Sequence, residues 1–180
     1  GITRIGLAKK LGLTRAAVTS IINDLNHVGL VRDIALSHNG GRRAVILELV
    51  PDRGYVVGVD MGATHAMVLV ADYSSKVLRE KEILIDISKG PEICLKQVDR
   101  IVRQVVMEAG LQLEDIGSVG LGVPGPVVAE RGAVSAPPIM PGWDDFPIRS
   151  TLEKLWGCYV HLNNDAELGV LGEWAFGAGR

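Results

Sequence analysis

The sequence predicts an α/β protein of two modules, a small helical one ending in a β-hairpin at residues 1–53 and a mixed α/β sheet at 54–180. Three observations carry this. Lys and Arg at positions 4, 9, 10, 15, 32, 42 and 43 outnumber Asp24, Asp33 and Glu48 before residue 51, whereas acids outnumber bases after residue 53. Pro51-Asp52-Arg53-Gly54 punctuates the chain where the balance changes. Beyond it, three strand-like runs give way to alternating helix-like and strand-like segments.

At 180 residues the chain can bury a substantial core. Of its residues 47% are apolar and only 4% aromatic, so that core is built mostly from Val, Ile, Leu and Ala. No apolar run reaches the roughly 18 to 20 residues of a membrane span, and no signal peptide opens the sequence, so a soluble cytoplasmic protein is expected. Cys94 and Cys158 stand far apart without further ligands at zinc spacing. They read as small buried hydrophobes, and no metal site is expected in this chain.

In RIGLAKKLGLTRAAVTSIINDL (4–25), Ala8 is small enough for two helices to cross closely and Gly12 permits the positive φ of a sharp turn. Val18 with Ile21 can close the core between the helices, and Thr14 suits the N-cap of the second. Val18, Ile21, Ile22, Leu25 and Val28 mark that helix's apolar face. Arg15, Thr19, Ser20 and Asn23 lie on the opposite face, where they can reach base edges and phosphates in a major groove. A strand near 30–36, a Gly-rich basic tip at 39–43 and a return strand to Val50 complete a winged helix-turn-helix pattern. Arg42 and Arg43 fall where a wing meets phosphates or a minor groove. The alternative is a plain helical hairpin packed against another element, and the wing argues against it. A winged helix ordinarily carries a further helix before Arg4, so the sequence is expected to begin inside that domain.

In the second module, strands are expected at 55–61, 65–72, 76–85, 116–123 and 159–163, and helices at 91–109, 148–156 and 165–175. Cys94, Leu95, Val98, Ile101, Val102, Val105 and Val106 make the first helix a scaffold with one apolar stripe. Chemistry is expected at three strand ends. In Asp60-x-Gly62-x-Thr64, the bare Gly62 admits phosphate oxygens to backbone N–H groups, Thr64 offers a hydroxyl and Asp60 can hold magnesium. The same residues also suit an ordinary turn. GLGVPGPV (120–127) ends a strand in a rigid turn that either presents backbone to a small ligand or simply reverses the chain. At 163–165 a strand delivers Asn163, Asn164 and Asp165 to a helix N-terminus, where a carboxylate is a cap, a general base or an acceptor for polyol hydroxyls.

Taken in order, the winged helix, Asp60-x-Gly62-x-Thr64, GVPGPV (122–127), PGWDDFPI (141–148), NNDAELGVLGE (163–173) and GAGR (177–180) resemble the ROK family of repressors, open reading frames and sugar kinases. The likeness covers nearly the whole chain and is strongest to the family's sugar-responsive transcriptional regulators. It implies that 54–180 is the first lobe of an actin-like, hexokinase-like ATPase of the ribonuclease H-like class, with the second lobe beyond Arg180. It also implies that Asp60, Gly62 and Thr64 form the first nucleotide-phosphate and magnesium motif and that Asn164 and Asp165 bind the sugar. Where kinase activity is retained, Asp165 is the catalytic base that takes the attacking hydroxyl's proton. His65 departs from the Lys or Asn that the kinases often carry after the motif threonine. ATP with magnesium is implied only for a kinase, and structural zinc only for the second lobe. The implied partners are operator DNA, a sugar or sugar derivative, and further copies of the chain in a dimer or tetramer. A regulator of this type, a repressor of sugar-metabolism genes, is therefore the expected function; the alternatives are an ATP-dependent sugar kinase of the glucokinase type and a binding module with neither role.

Overall fold

Thr3 and Thr14 start the two N-terminal helices, α1 (Arg4–Leu11) and α2 (Arg15–His27), in a computed structural model that describes residues 1–36 and 44–179. Each hydroxyl accepts a backbone N–H, from Gly6 at 3.0 Å and from Ala17 at 3.1 Å, which pairs a donor that a helix start otherwise leaves open. Gly12 ends α1 at φ 66°, and its N–H closes on the Ala8 carbonyl. Strands β1 (Val31–Leu36) and β2 (Ala44–Leu49) pair antiparallel from Val31↔Leu49 to Leu36↔Ala44. Arg42 and Arg43, with the expected basic tip, lie outside the described residues.

The chain divides into two compact units, Gly1–Arg53 and Gly54–Arg180. In the first, Ala8, Val18, Ile22, Val31 and Leu47 form a small core flanked by Leu7 and Leu25. Ile21 and Val28, expected on the buried face, are each 48% exposed. A helix pair and one hairpin cover only the narrow stripe of α2 through Val18, Ile22 and Leu25, and its flank faces outward. Arg4 grips Asp33 with two nitrogens at 2.9 Å, and Arg32 meets the directly opposite Glu48 with its Nε at 2.8 Å.

The second unit begins with an antiparallel meander, β3 (Tyr55–Met61), β4 (His65–Asp72) and β5 (Val77–Leu84), followed by helix α3 (Pro91–Glu108). Then come β6 (Ile116–Val123), a short hairpin of β7 (Val127–Val128) and β8 (Ala133–Val134), helix α4 (Ile148–Trp156), β9 (Tyr159–Asn164) and α5 (Asp165–Phe176). The main sheet runs β5-β4-β3-β6-β9, with β6 parallel to both β3 and β9. Ala66, Val68 and Val70 are fully buried on one face of β4, whereas the edge strand β5 is blunted by Arg79, Glu80, Lys81 and Glu82. The expected stripe of α3, from Cys94 to Val106, is buried throughout. Asp99 on α3 fastens α4 by accepting the Trp156 indole N–H at 2.8 Å and Arg103 Nε at 2.9 Å through one oxygen. α5 differs, because it has no buried residue among those described and leaves Val170, Leu171, Trp174 and Phe176 more than half exposed. No described helix is long and apolar enough to cross a membrane.

Asp72 closes the β4–β5 turn by accepting Ser74 Oγ at 2.6 Å, Ser74 N at 2.8 Å and Lys76 N at 3.1 Å on one oxygen. The Ser74 hydroxyl leads the effects that hold its pKa below the ordinary 3.8, against an opposing contribution from burial. A lowered folded pKa means stability that is present above the unfolded value and lost as pH falls through the folded one. The stability gap between wild type and Asp72→Ala in urea melts should therefore be full above pH 3.8 and shrink steadily below it.

Candidate functional site

Three parallel strands end side by side, and their register aligns residues that are far apart in sequence. Asp60 on β3 pairs with Gly122 on β6, Gly122 pairs with Asn163 on β9, and Val123 pairs with Asn164. Gly122 is the pivot of this row. A Cβ there would lie 3.5 Å from Asp60 Oδ1, 3.4 Å from the Asp165 Cα and 3.2 Å from Leu168 Cδ1. The bare glycine thus lets the Asp60 carboxylate and the first turn of α5 approach one another from opposite sides.

On the β3–β4 side, Gly62 N–H donates to the His65 carbonyl at 2.9 Å and closes the hairpin. Thr64 Oγ1 lies 3.3 Å from His65 Nδ1, within hydrogen-bond reach. The His65 ring also covers the open face of Gly62, with Cε1 and Nε2 at 3.6 and 3.7 Å from where a Cβ would stand. Of the two donors expected to face a phosphate, the Gly62 N–H is thereby engaged within the turn, and the Thr64 hydroxyl has an imidazole nitrogen beside it. Among the described residues no backbone partner meets the N–H groups of Ala63 or Thr64. Asp60 and Thr64 are exposed. As arranged, the turn sets the His65 ring beside the glycine face and the hydroxyl and leaves the Ala63 and Thr64 N–H groups available to an anion. No group of three or more His, Cys, Asp or Glu among the described residues is placed to hold a metal ion.

On the other side, Asn164 is the N-cap of α5. Its Oδ1 accepts from Ala166 N at 3.0 Å and Glu167 N at 3.2 Å. Its Nδ2 lies 3.2 Å from the Gly125 carbonyl, 3.4 Å from that of Val123 and 3.1 Å from Asp165 Oδ1. Both lone pairs and both protons of the carboxamide therefore have partners inside the protein. Asn163 joins this tie by accepting Asn164 N at 2.8 Å. Asp165 accepts Ala166 N at 2.8 Å through Oδ1, while no hydrogen bond among the described residues engages its Oδ2.

A cavity of about 540 Å³ opens beside these groups. Pro124, Pro126 and Pro138 with Val127 supply an apolar wall, and Asp165 with Glu167 supplies carboxylates. An apolar wall facing hydrogen-bond acceptors suits a compact polyol, whose C–H face and hydroxyls need both. Reasoning from sequence did not single out Glu167, Gly122 or Pro138. Glu167 was open to inference, because it sits two residues after Asp165 in the first turn of the same helix; the other two depend on strand register and loop packing.

Residues expected to face DNA occupy one side of α2. Arg15, Thr19, Ser20 and Asn23 are all exposed, and the Thr19 hydroxyl donates to the Arg15 carbonyl at 2.8 Å. With Arg4 and Arg32 held in ion pairs, Lys9, Lys10 and Arg15 are the exposed cations of the two helices.

Asn164→Ala should destabilise the protein by about 1–2 kcal/mol through loss of the cap. Asn164→Asp restores the cap oxygen but not the donor to Gly125, and it sets a second carboxylate beside Asp165. Urea melts should rank wild type above Asn164→Asp and Asn164→Ala.

Comparison with known proteins adds four findings. Residues 56–180 match the ROK family. The chain is 29% identical over 177 residues to a putative xylose repressor of Caldicellulosiruptor sp. strain Rt8B.4, covering 98% of this chain and 44% of that protein. It is 34% identical over 127 residues to a glucokinase of Thermotoga maritima, covering 69% of this chain and 38% of that one. Among solved structures, a ROK family transcriptional regulator homologous to Escherichia coli Mlc superimposes with a TM-score of 0.77 at 22% identity, over 97% of this chain and 44% of the other, a likeness of fold. The chain spans less than half the length of each of these proteins.

Proposed function

The chain belongs to the ROK family, and from that premise we propose that the protein is a sugar-responsive transcriptional repressor. The observation that carries this reading is the extent of the likeness. The repressor relative aligns with 98% of the chain, residues of the first unit included, whereas the glucokinase relative aligns with 69%. On this reading the first unit is a winged helix-turn-helix. Arg15, Thr19, Ser20 and Asn23 of α2 enter the major groove, Lys9 and Lys10 meet phosphates, and Arg42 with Arg43, outside the described residues, adds further contacts to DNA.

The second unit senses the effector. A sugar lies against the prolines of the 540 Å³ cavity, and Asp165 accepts its hydroxyls through the oxygen left free by the helix cap. Asn164 acts with it, chiefly by fixing the first turn of α5 against Gly125. Polar partners that a bound ligand covers discriminate against ligands that lack the matching hydroxyls. To change transcription, the sugar must bind one arrangement of the protein better than the other. A dimer or tetramer would present two winged helices to a roughly palindromic operator.

A kinase reading is favoured by one observation, the retention of Asp60, Thr64 and Asp165 beside a 34% identical glucokinase. In that case Asp165 would take the proton of the attacking sugar hydroxyl, and Asp60 would hold magnesium beside the phosphates. The presence of His65 where the family's kinases often carry Lys or Asn, and the longer alignment of the repressor relative, stand against it.

Gel-shift titrations of full-length protein on palindromic operator-like DNA test the choice. Binding should fall with salt, weaken by about 1–3 kcal/mol in Arg15→Ala, and be relieved by D-xylose or D-glucose in wild type but not in Asp165→Asn. No binding to any such DNA would remove the repressor reading. Full-length protein should likewise show no sugar-stimulated ATP turnover above a control without protein; turnover that disappears in Asp165→Asn would establish the kinase instead.

A further inference from the structure

Trp143 is fully buried, and its indole N–H crosses to the Ile87 carbonyl at 3.0 Å, 56 positions away in the chain. The hydrogen bonds continue from there. Ile87 N–H donates to the Ala63 carbonyl and Ile85 N–H to the Thr64 carbonyl, each at 3.0 Å. Segment 85–87 is therefore a splint beneath the turn that follows Asp60. The Trp143 loop, meanwhile, reaches the cavity. Pro138 lines it, and a Cβ on Gly125 would fall 3.1 Å from both Pro137 Cβ and Met140 Sδ. Gly125 is also the residue whose carbonyl Asn164 holds.

The two halves of the site are thus joined beneath the sheet's edge as well as across Gly122. We propose that Trp143 is a positioning residue that, through Ile87, keeps the Ala63–Thr64 turn and the Pro137–Met140 wall in one register, so that a ligand settling on the wall alters the turn. The physical basis is the weakened bonding of a buried carbonyl. Ile87 O accepts the indole N–H at 3.0 Å and the Gly90 N–H at 3.3 Å, so without the indole it keeps only the longer bond in a dry environment, and segment 85–87 is held less firmly. Trp156 is an internal comparison, a second buried indole whose N–H ends on Asp99 between α3 and α4 instead of on this path.

The coupling of the wall to a ligand rests on reading the cavity as a sugar site; the hydrogen-bonded path does not. The experiment separates the two. Full-length protein would be compared with Trp143→Phe, with Trp156→Phe, and with a variant carrying benzothienylalanine at position 143 alone, which keeps the indole shape without its N–H and guards against a folding failure of the phenylalanine. Hydrogen exchange read at individual amides should accelerate at least tenfold at Ile85 and Ile87 in both position-143 variants and stay at the wild-type rate in Trp156→Phe. Calorimetric titration with D-xylose and D-glucose should show a several-fold weaker Kd in the position-143 variants only. Wild-type exchange at Ile85 and Ile87 in the benzothienylalanine variant, or equal acceleration in Trp156→Phe, would overturn the proposal. Accelerated exchange with unchanged sugar affinity would overturn the coupling to ligand. Failure of the wild type itself to bind either sugar would count against the sugar site, and the exchange rates would still decide the path.

Discussion

The Asn164 carboxamide is bonded on all sides by the protein, and most of the site's geometry follows from that. Its oxygen caps α5 and its nitrogen holds the Gly125 turn. α5 buries no residue among those described, and its N-terminus is tied by the Asn164 side chain. A helix ordinarily takes its stability from packing of one face. Here the cap fixes where the helix starts, and with it where Asp165 and Glu167 stand. The same carboxamide sets the distance between those carboxylates and the proline wall, which gives the cavity its two-sided chemistry.

Gly122 imposes the complementary constraint. It sits in the middle of a three-strand row where a Cβ would fill the space between Asp60 and Asp165 and press on the tip of Leu168. The bare position leaves room between the carboxylate side and the cap side of the cleft. Across that gap lies a turn in which Gly62 N–H closes its own hairpin, Thr64 Oγ1 is within reach of His65, and the N–H groups of Ala63 and Thr64 have no backbone partner among the described residues. The turn has the outline of a nucleotide loop, with an imidazole against the face that would meet the nucleotide.

Electrostatics sharpen the picture of the first unit. A surplus of cations in the sequence says little about where they act. Arg4 and Arg32 are held by Asp33 and Glu48 and brace the hairpin. What is left at the surface of the helices is a cluster around the turn between α1 and α2, next to the polar face of α2. A concentrated positive field at that place steers a polyanion far better than the same charges spread over the unit.

The sequence by itself determined the elements. The strands at 55–61, 65–72 and 116–123 and the stripe of α3 fall where expected, because alternation, 3.6-residue periodicity, caps and turn glycines are all expressed within a few neighbouring residues. It also marked Asp60, Asn164 and Asp165 as residues at strand ends. It left open whether the first belonged to a turn or a cradle and whether the others were caps or ligands, since one residue type serves either role. Only the tertiary structure decided that Asp60, Gly122 and Asn163 stand in one row, that Trp143 ends on Ile87, and that Ile21 faces outward. Each of these depends on the register of strands or the packing of loops separated by tens of residues. That information lies in which surfaces meet, and no local pattern carries it.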